Sequence, residues 1–318
     1  ERIRDLLQGR VKMNELNIAQ AMLPDNCLLI PNHNGTASGM WFEKNGAEYI
    51  SLPGVPYEMK AMISEYILPA LQEKFDLPAI VHKTILVQGI PESHLATMLE
   101  EYENTLPAGV KLAYLPSPGR IRLRISASGE ERKDVEEQVD TQMGRLIPYI
   151  PQGKIYGYDD EKMEELIGQL LKEKNATLAL AESCTGGTIS QLITSVPGSS
   201  AYFLGSVVAY SNRIKEEILG VKPEIIEKHG AVSREVVEQM AEGVRKHFGA
   251  DYSIATSGIA GPDGGTPDKP VGTTWIAVSS GEATESAVYR LGGHRGRNIR
   301  KASLTGLNML RNLVTSSK

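Results

Sequence analysis

Between Asp160 and the C-terminus the chain alternates between two hydrophobic periods, and this constrains the fold more than any other feature of the sequence. In DDEKMEELIGQLLKEKN, Met163, Leu166, Ile167, Leu170 and Leu171 recur at i, i+3, i+4, i+7 and i+8. That spacing predicts an amphipathic helix, with acidic residues in its first turn where the helix dipole favours them. The strand ATLALA follows directly, and further strands are predicted at GSVVAY, DYSIATS, TTWIAVSS and ESAVYRL. Helices are interleaved with them at TISQLITSV, EIIEKHG, REVVEQMAEGVRKHF and GRNIRKASLTGLNMLRNLV. Strands alternating with helices imply a sheet covered by helices, so residues 159–318 are expected to form an α/β domain. In such sheets ligands sit beyond the strand ends, among the loops.

Two regions with different patterns precede it. Over 1–78, the strand-like CLLI, a polar NHNGTASG segment, a strand at Tyr49 to Leu52, the turn LPGVP and a helix bearing Met59, Met62 and Ile63 give another α/β pattern. Gly54 and the helix start after it are either a plain turn or a place for an anion. Over 79–158, KTILVQGI, VKLAYLPS and RIRLRISAS read as strands, and SHLATMLEEYENTL and ERKDVEEQVDTQMGRLI as helices, which predicts a small α+β unit. In RIRLRISAS, Ile121, Leu123 and Ile125 alternate with Arg120, Arg122 and Arg124. The arginines are expected to form a solvated face paired with the Glu-rich helix, or else to touch phosphates.

Composition narrows the function classes. The 34 basic and 39 acidic residues nearly balance, and no Lys/Arg run forms the stripe of a nucleic-acid binder. No apolar run has the length of a membrane span. Neither nucleic acid nor a membrane is expected as a partner. Two distant cysteines, Cys27 and Cys184, suit a reducing, cytoplasmic setting. The six histidines never fall at metal-ligand spacing, so no structural zinc site is expected. The first residue is Glu1, which suggests that the chain begins inside a longer gene product.

The unusual residues of the C-terminal region lie in three predicted loops. AESCTGG, residues 181–187, runs from a strand into a helix. Ser183 in that turn is either an ordinary helix cap or a nucleophile above free backbone N–H groups, with two glycines allowing close approach. The segment 196–215 places Tyr210 at a strand end and Lys215 in the first turn of the next helix. There the helix field and partial burial should lower the lysine's pKa towards that of a general base beside a serine, unless it is simply exposed. The loop 256–274, TSGIAGPDGGTPDKPVGTT, holds five glycines and three prolines, and Gly258 and Gly261 would let the backbone wrap a phosphate or ribose.

Together AESCTGG, GSSAYFLGSVVAYSNRIK, HGAVS and SGIAGPDGG resemble the CinA family of competence- and damage-inducible proteins across the whole C-terminal half. The resemblance implies a nicotinamide mononucleotide deamidase domain, a serine-type amidohydrolase releasing nicotinic acid mononucleotide and ammonia within pyridine nucleotide salvage. The family's serine, tyrosine and lysine fall on Ser183 or Ser200, Tyr210 and Lys215. The substrate is expected against Glu182, Thr185, Gly186, Gly187, Asn212, Ser257, Gly258, Ile259, Ala260 and Gly261. Upstream, NHNGTASGMWFE and LPGVPYEMKAM are similar to the end of a molybdopterin-binding-like domain, which in some members is an ADP-ribose pyrophosphatase, and the middle region is similar to the family's KH-like connector. The GGLGPT-type motif of the first domain is absent. The resemblance thus implies three domains, 1–78 (incomplete), 79–158 and 159–318, and a homodimer. No cofactor is expected for the deamidase, and a divalent cation only for a complete, active pyrophosphatase domain. The alternatives to a deamidase are that pyrophosphatase, or a catalytically silent nucleotide-binding module in competence or the response to DNA damage.

Overall fold

Every strand and helix expected beyond Met22 forms, within a few residues of its predicted place. The structure, a computed structural model, describes residues 22–316, and its chain divides into two compact units at Pro78/Ala79. The first 21 residues of the expected first domain lie outside the described residues.

In the first unit β1 (Leu28–Ile30), β2 (Gly39–Lys44) and β3 (Ala47–Ser51) form an antiparallel meander. Asn45 and Gly46, both at positive φ, make the tight hairpin between the last two, the turn chemistry that right-twisted strands favour. The helical segment α1 (Pro56–Met62), a π-helical turn at Ile63–Ile67 and α2 (Leu68–Lys74) then close a small core of Ile30, Trp41, Met62 and Ile67. The turn at Gly54 leads into this continuous helical run, whose cap residue Val55 makes no side-chain hydrogen bond.

The second unit opens with β4 (Ala79–Val87), α3 (Glu92–Asn104), β5 (Lys111–Ser117), β6 (Arg120–Gly129), α4 (Arg132–Leu146) and β7 (Ile155–Tyr158). The sheet is antiparallel throughout, in the order β5-β6-β4-β7. Ile121, Leu123 and Ile125 are buried against Val135, Val139, Met143 and Leu146 of α4, as period-2 alternation requires. This corrects the expected pairing of the arginines. The Glu-rich helix covers the apolar face, so the arginines point away from it, and Arg122 bridges Asp160 at 3.1 Å in the segment leading onward.

From there run α5 (Met163–Glu173), β8 (Leu178–Glu182), α6 (Thr188–Thr194), β9 (Phe203–Val208), α7 (Asn212–Glu217), α8 (Pro223–His229), α9 (Arg234–Phe248), β10 (Tyr252–Gly258), β11 (Thr273–Ser279), β12 (Thr284–Arg290) and α10 (Arg295–Ser316). The sheet order is β12-β11-β10-β8-β9; β8 is parallel to both β9 and β10, whereas β10, β11 and β12 are antiparallel. Alternation along β8 sorts the two layers. Leu178 and Leu180 face α5, α6 and α10 with Ile254, Ile276 and Val278. Ala179 and Ala181, with Ala255 and Ala277, face α9. Small residues on that side let α9 lie close to the sheet, while each large aliphatic chain buried on the other contributes about 1.5–3 kcal/mol. Gly243 shows how tight the α9 layer is, since a Cβ there would lie 1.9 Å from the Leu219 carbonyl oxygen.

Candidate active site

The parallel register determines which loops meet. Glu182 at the end of β8 pairs with Val208 of β9 on one side and Thr256 of β10 on the other. One step further, Ser183 is flanked by the turn at Ala209 and Tyr210 and by the segment starting at Ser257. The chain leaves β8 through α6 on one face and returns to β10 through α9 on the other. The crevice at the carboxyl ends of β8 and β10 is therefore a topological switch point, the usual ligand position in such sheets.

Glu182 is fully buried. Its carboxylate accepts from the amides of Gly187 and Ile189 at 3.0 Å and from the amide and hydroxyl of Ser190 at 2.8 and 2.6 Å. The start of α6 is thus already neutralised by the protein's own anion. Gly187, expected to meet the substrate through a free amide, spends that amide on Glu182, and Gly186 donates to the Ser183 carbonyl at 3.2 Å. The amides of Cys184 and Thr185 have no acceptor among the described residues, so these are the donors left for a developing oxyanion.

Ser183 is nearly buried, and its hydroxyl has no hydrogen-bond partner among the described residues. Its amide is held by the Thr256 carbonyl at 3.1 Å. The Thr256 hydroxyl pairs with that of Thr185 at 2.8 Å and also lies 3.4 Å from the Ser183 amide. Thr256 is fully buried, and the sequence reading passed over it. Its only signal was its place at the strand end before the Gly-rich loop. The neighbouring Cys184 thiol is buried, which pushes its pKa up to about 12 against the smaller opposing influence of the Thr256 hydroxyl. It is a thiol and not a thiolate at neutral pH.

Lys215 is buried. Its Nζ donates to the carbonyls of Ala209 at 2.8 Å and Tyr210 at 3.4 Å. Burial holds its pKa below the ordinary lysine value, with the Cys184 sulfur acting weakly the other way. The expected direction is right and the expected cause incomplete. Lys215 is the fourth of six residues in α7, too far along for the helix field to matter, so desolvation does the work.

Tyr210 differs from expectation more. Its side chain is 65% exposed; its backbone carbonyl meets Lys215, and its hydroxyl accepts from Arg295 at 3.4 Å. Arg295 also donates to the Gly261 carbonyl at 2.9 Å, so it joins the Tyr210 turn to the Gly-rich loop at the rim of the crevice. Asn298 donates to the Ala260 carbonyl at 3.0 Å and the Gly292 carbonyl at 2.8 Å and anchors the same loop from α10. Neither Arg295 nor Asn298 was signalled, because both come from a helix nearly forty residues downstream.

Of the loop itself, Gly258 and Gly261 answer to the protein's own packing. A Cβ on Gly258 would lie 2.7 Å from Thr274 Oγ1, and one on Gly261, at φ +90°, 2.6 Å from Val271 Cγ1. Ile259 is tied into the loop's base by Thr273 and Gly272, and Ser257 donates to the Ala231 carbonyl at 2.7 Å. Asn212 is exposed at the start of α7. Ser200 is set apart from this cluster. It is exposed in a short turn before β9. Because β8 and β9 are parallel, it lies at the opposite edge of the sheet from Ser183, about five residues or 16 Å along the strands.

Among the described residues no group of three or more His, Cys, Asp or Glu is placed to hold a metal ion, and no helix is long and apolar enough to cross a membrane.

Comparison with known proteins places these elements. A model of the CinA C-terminal domain matches residues 160–314, and one of the damage-inducible protein CinA KH domain matches 82–150. A CinA-like protein of Cytophaga hutchinsonii is 46% identical over 98% of this chain and 74% of its own length. A putative competence-damage inducible protein of Halothermothrix orenii is 42% identical over 91% of this chain and 69% of its own. Among solved structures, a competence/damage inducible protein from Agrobacterium tumefaciens is 35% identical over 48% of this chain and 94% of that one, with a TM-score of 0.46. With relatives this similar along nearly all of its length, the chain belongs to the CinA family.

Proposed function

We propose that the C-terminal domain hydrolyses the carboxamide of nicotinamide mononucleotide, with Ser183 as nucleophile and Lys215 as its base. The observation that carries this reading is the state of Lys215. A neutral amine has two N–H bonds and one lone pair. The carbonyls of Ala209 and Tyr210 take two protons, which leaves the lone pair free to accept from a hydroxyl, and burial favours that neutral form.

In this scheme Lys215 takes the Ser183 proton as Oγ attacks the carboxamide carbon. The amides of Cys184 and Thr185 stabilise the resulting oxyanion. The protonated lysine then gives its proton to the departing nitrogen, and ammonia leaves an ester on Ser183. Water, deprotonated by the same lysine, releases nicotinic acid mononucleotide and restores the hydroxyl. No step calls for a metal ion. Arg295 and the Gly-rich loop at the rim offer the charge and backbone donors for the phosphate monoester. Assembly as a homodimer and action in the cytoplasm belong to the same proposal, which light scattering and cell fractionation address.

The test is turnover of nicotinamide mononucleotide, nicotinamide riboside and ADP-ribose side by side by mass spectrometry, in the presence of a chelator. The mononucleotide should lose its amide nitrogen, and the riboside should react with a kcat/KM at least tenfold lower. Equal turnover of the riboside would remove the phosphate from the scheme, and no turnover of either would remove the scheme.

A further inference from the structure

A second cleft formed by the described residues stands apart from the Ser183 crevice. It measures about 600 Å³ and lies within the second unit, where the β4–α3 turn and the β5–β6 hairpin of the middle sheet face α10. Its walls come from distant parts of the sequence. Gln88 directly follows β4 and Lys154 directly precedes β7, Arg120 starts β6, and Lys301 and Asn308 lie on one face of α10, seven residues apart.

Three features mark it as a built site and not a packing defect. The first is charge. Arg120, Lys154, Lys301 and Arg290 all line the cleft, and none has a carboxylate within ion-pair distance among the described residues. Glu92 is the one acidic residue in the lining. Arg290 is already engaged by Thr273 and the Asp268 carbonyl, but the Lys154 Nζ donates to nothing among the described residues. The second is a pair of orphaned amides. Gln88 is 5% exposed, and its Nε2 is buried without an acceptor; the Asn308 Oδ1 is buried without a donor. Buried polar atoms are almost always satisfied, so one unused donor and one unused acceptor in the same cleft await a partner that carries both. The third is positioning. Arg120 is held by the Ser117 hydroxyl at 3.2 Å and the Tyr156 hydroxyl at 3.3 Å, and Lys301 by the Leu291 carbonyl at 3.2 Å. The hairpin tip abuts α10 closely enough that a Cβ on Gly119 would lie 3.5 Å from Lys301 Cα.

We propose that this cleft binds a small phosphorylated ligand of mononucleotide size, with its phosphate among Arg120, Lys154 and Lys301 and its base or amide edge against Gln88 and Asn308. The volume falls in the range of small-molecule sites, and cations with an amide donor–acceptor pair match a phosphate joined to a hydrogen-bonding ring. The site is separate from the Ser183 crevice. It lies on the β12 side of the sheet, three strand spacings, about 14 Å, from β8. Because both the middle sheet and α10 supply contacts, an occupied cleft fastens one to the other.

The experiment uses the full chain, with AMP, GMP, CMP, UMP and inorganic pyrophosphate as probes in isothermal titration, and adenosine as the control without phosphate. At least one mononucleotide should bind, pyrophosphate should compete with it, and adenosine should bind at least tenfold more weakly. Lys154→Glu and Lys301→Glu should each weaken that binding at least tenfold, whereas Arg295→Glu at the rim of the other site should leave it unchanged. If a charge reversal fails to fold by circular dichroism, Lys154→Gln and Lys301→Gln replace it, with weakening of at least threefold expected. The proposal is overturned if none of the probes binds, or if the binding survives both lysine substitutions and is lost in Arg295→Glu.

Discussion

The middle and C-terminal sheets of the second unit have similar strand lengths and similar alternation, yet only one gathers reactive groups at its edge. In the middle sheet every pairing is antiparallel. One pair, β5 and β6, closes through a tight turn at Pro118 and Gly119, and the sheet's polar face is spent on arginines. In the C-terminal sheet β8 runs parallel to both neighbours, so the loops after β8 and β9, which open crossovers, meet the antiparallel β10–β11 connection at one end of the sheet. Ser183, the Lys215 carbonyl cradle and Thr256 meet there although they are separated by up to 73 residues. Parallel pairing requires long connections, and two such connections, with the β10–β11 loop, bring the candidate residues together.

The sharpest way to break this comparison is to remove the groups that converge. Ser183→Ala should lower kcat for nicotinamide mononucleotide by at least about a thousandfold, within the range seen when nucleophiles are removed, while Ser200→Ala at the opposite edge changes it less than about threefold. A reversal of the two results would assign the chemistry to the far edge of the sheet. Next in size, Lys215→Arg keeps the charge but cannot deprotonate in the working range. It should reduce kcat at least about a hundredfold, with the melting temperature retained.

The pH profile separates base from charge for the same residue. Burial lowers the Lys215 pKa below its unfolded value. The folded state therefore releases its proton first, and both activity and this residue's contribution to stability rise as pH climbs through the folded pKa towards the ordinary lysine value. In the wild type log kcat/KM should climb along that limb; in Lys215→Arg the limb should vanish. A limb that persists in the variant assigns the titration to another group.

Smaller effects probe the support beneath the serine. Thr256→Val removes the hydroxyl shared with Thr185 while keeping the shape of the side chain, and kcat should fall about tenfold, equivalent to about 1.4 kcal/mol of transition-state stabilisation. By contrast Leu123→Ala in the middle sheet should cost about 2–5 kcal/mol of stability and leave turnover below the melting range unchanged. Equal loss of activity in both variants would mean that the two sheets do not divide structure from chemistry. The smallest change is expected for Cys184→Ala. Its thiol is buried and stays protonated, so activity should stay within about tenfold of wild type.

Local periodicity was sufficient for the elements themselves. The i, i+3, i+4 spacing of α5 and the alternation in β6 each dictate an apolar face that packs inward, and β8, apolar from Leu178 to Ala181, is buried on both faces. Ser183 and Lys215 were legible as candidates because they sit in or beside loops of unusual composition, and the structure brings the segments that carry them to one end of the sheet. Partnership was not legible. Whether the arginines of β6 face α4, whether Glu182 meets a substrate or caps α6, and whether the Tyr210 ring or its carbonyl meets Lys215 depend on directions in space that a one-dimensional pattern does not encode.

The sequence by itself determined the order of strands and helices, which faces are apolar and which loops are rich in glycine and hydroxyl groups, since these follow from the properties of neighbouring residues. Tertiary structure alone decided the register that sets Ser183 between Ala209 and Ser257, the burial that lowers the Lys215 pKa, the entry of Thr256, Arg295 and Asn298 into the site, and the separation of Ser200 from it. Those depend on pairing between segments far apart in the chain, where distance and desolvation, and not local propensity, set the energies.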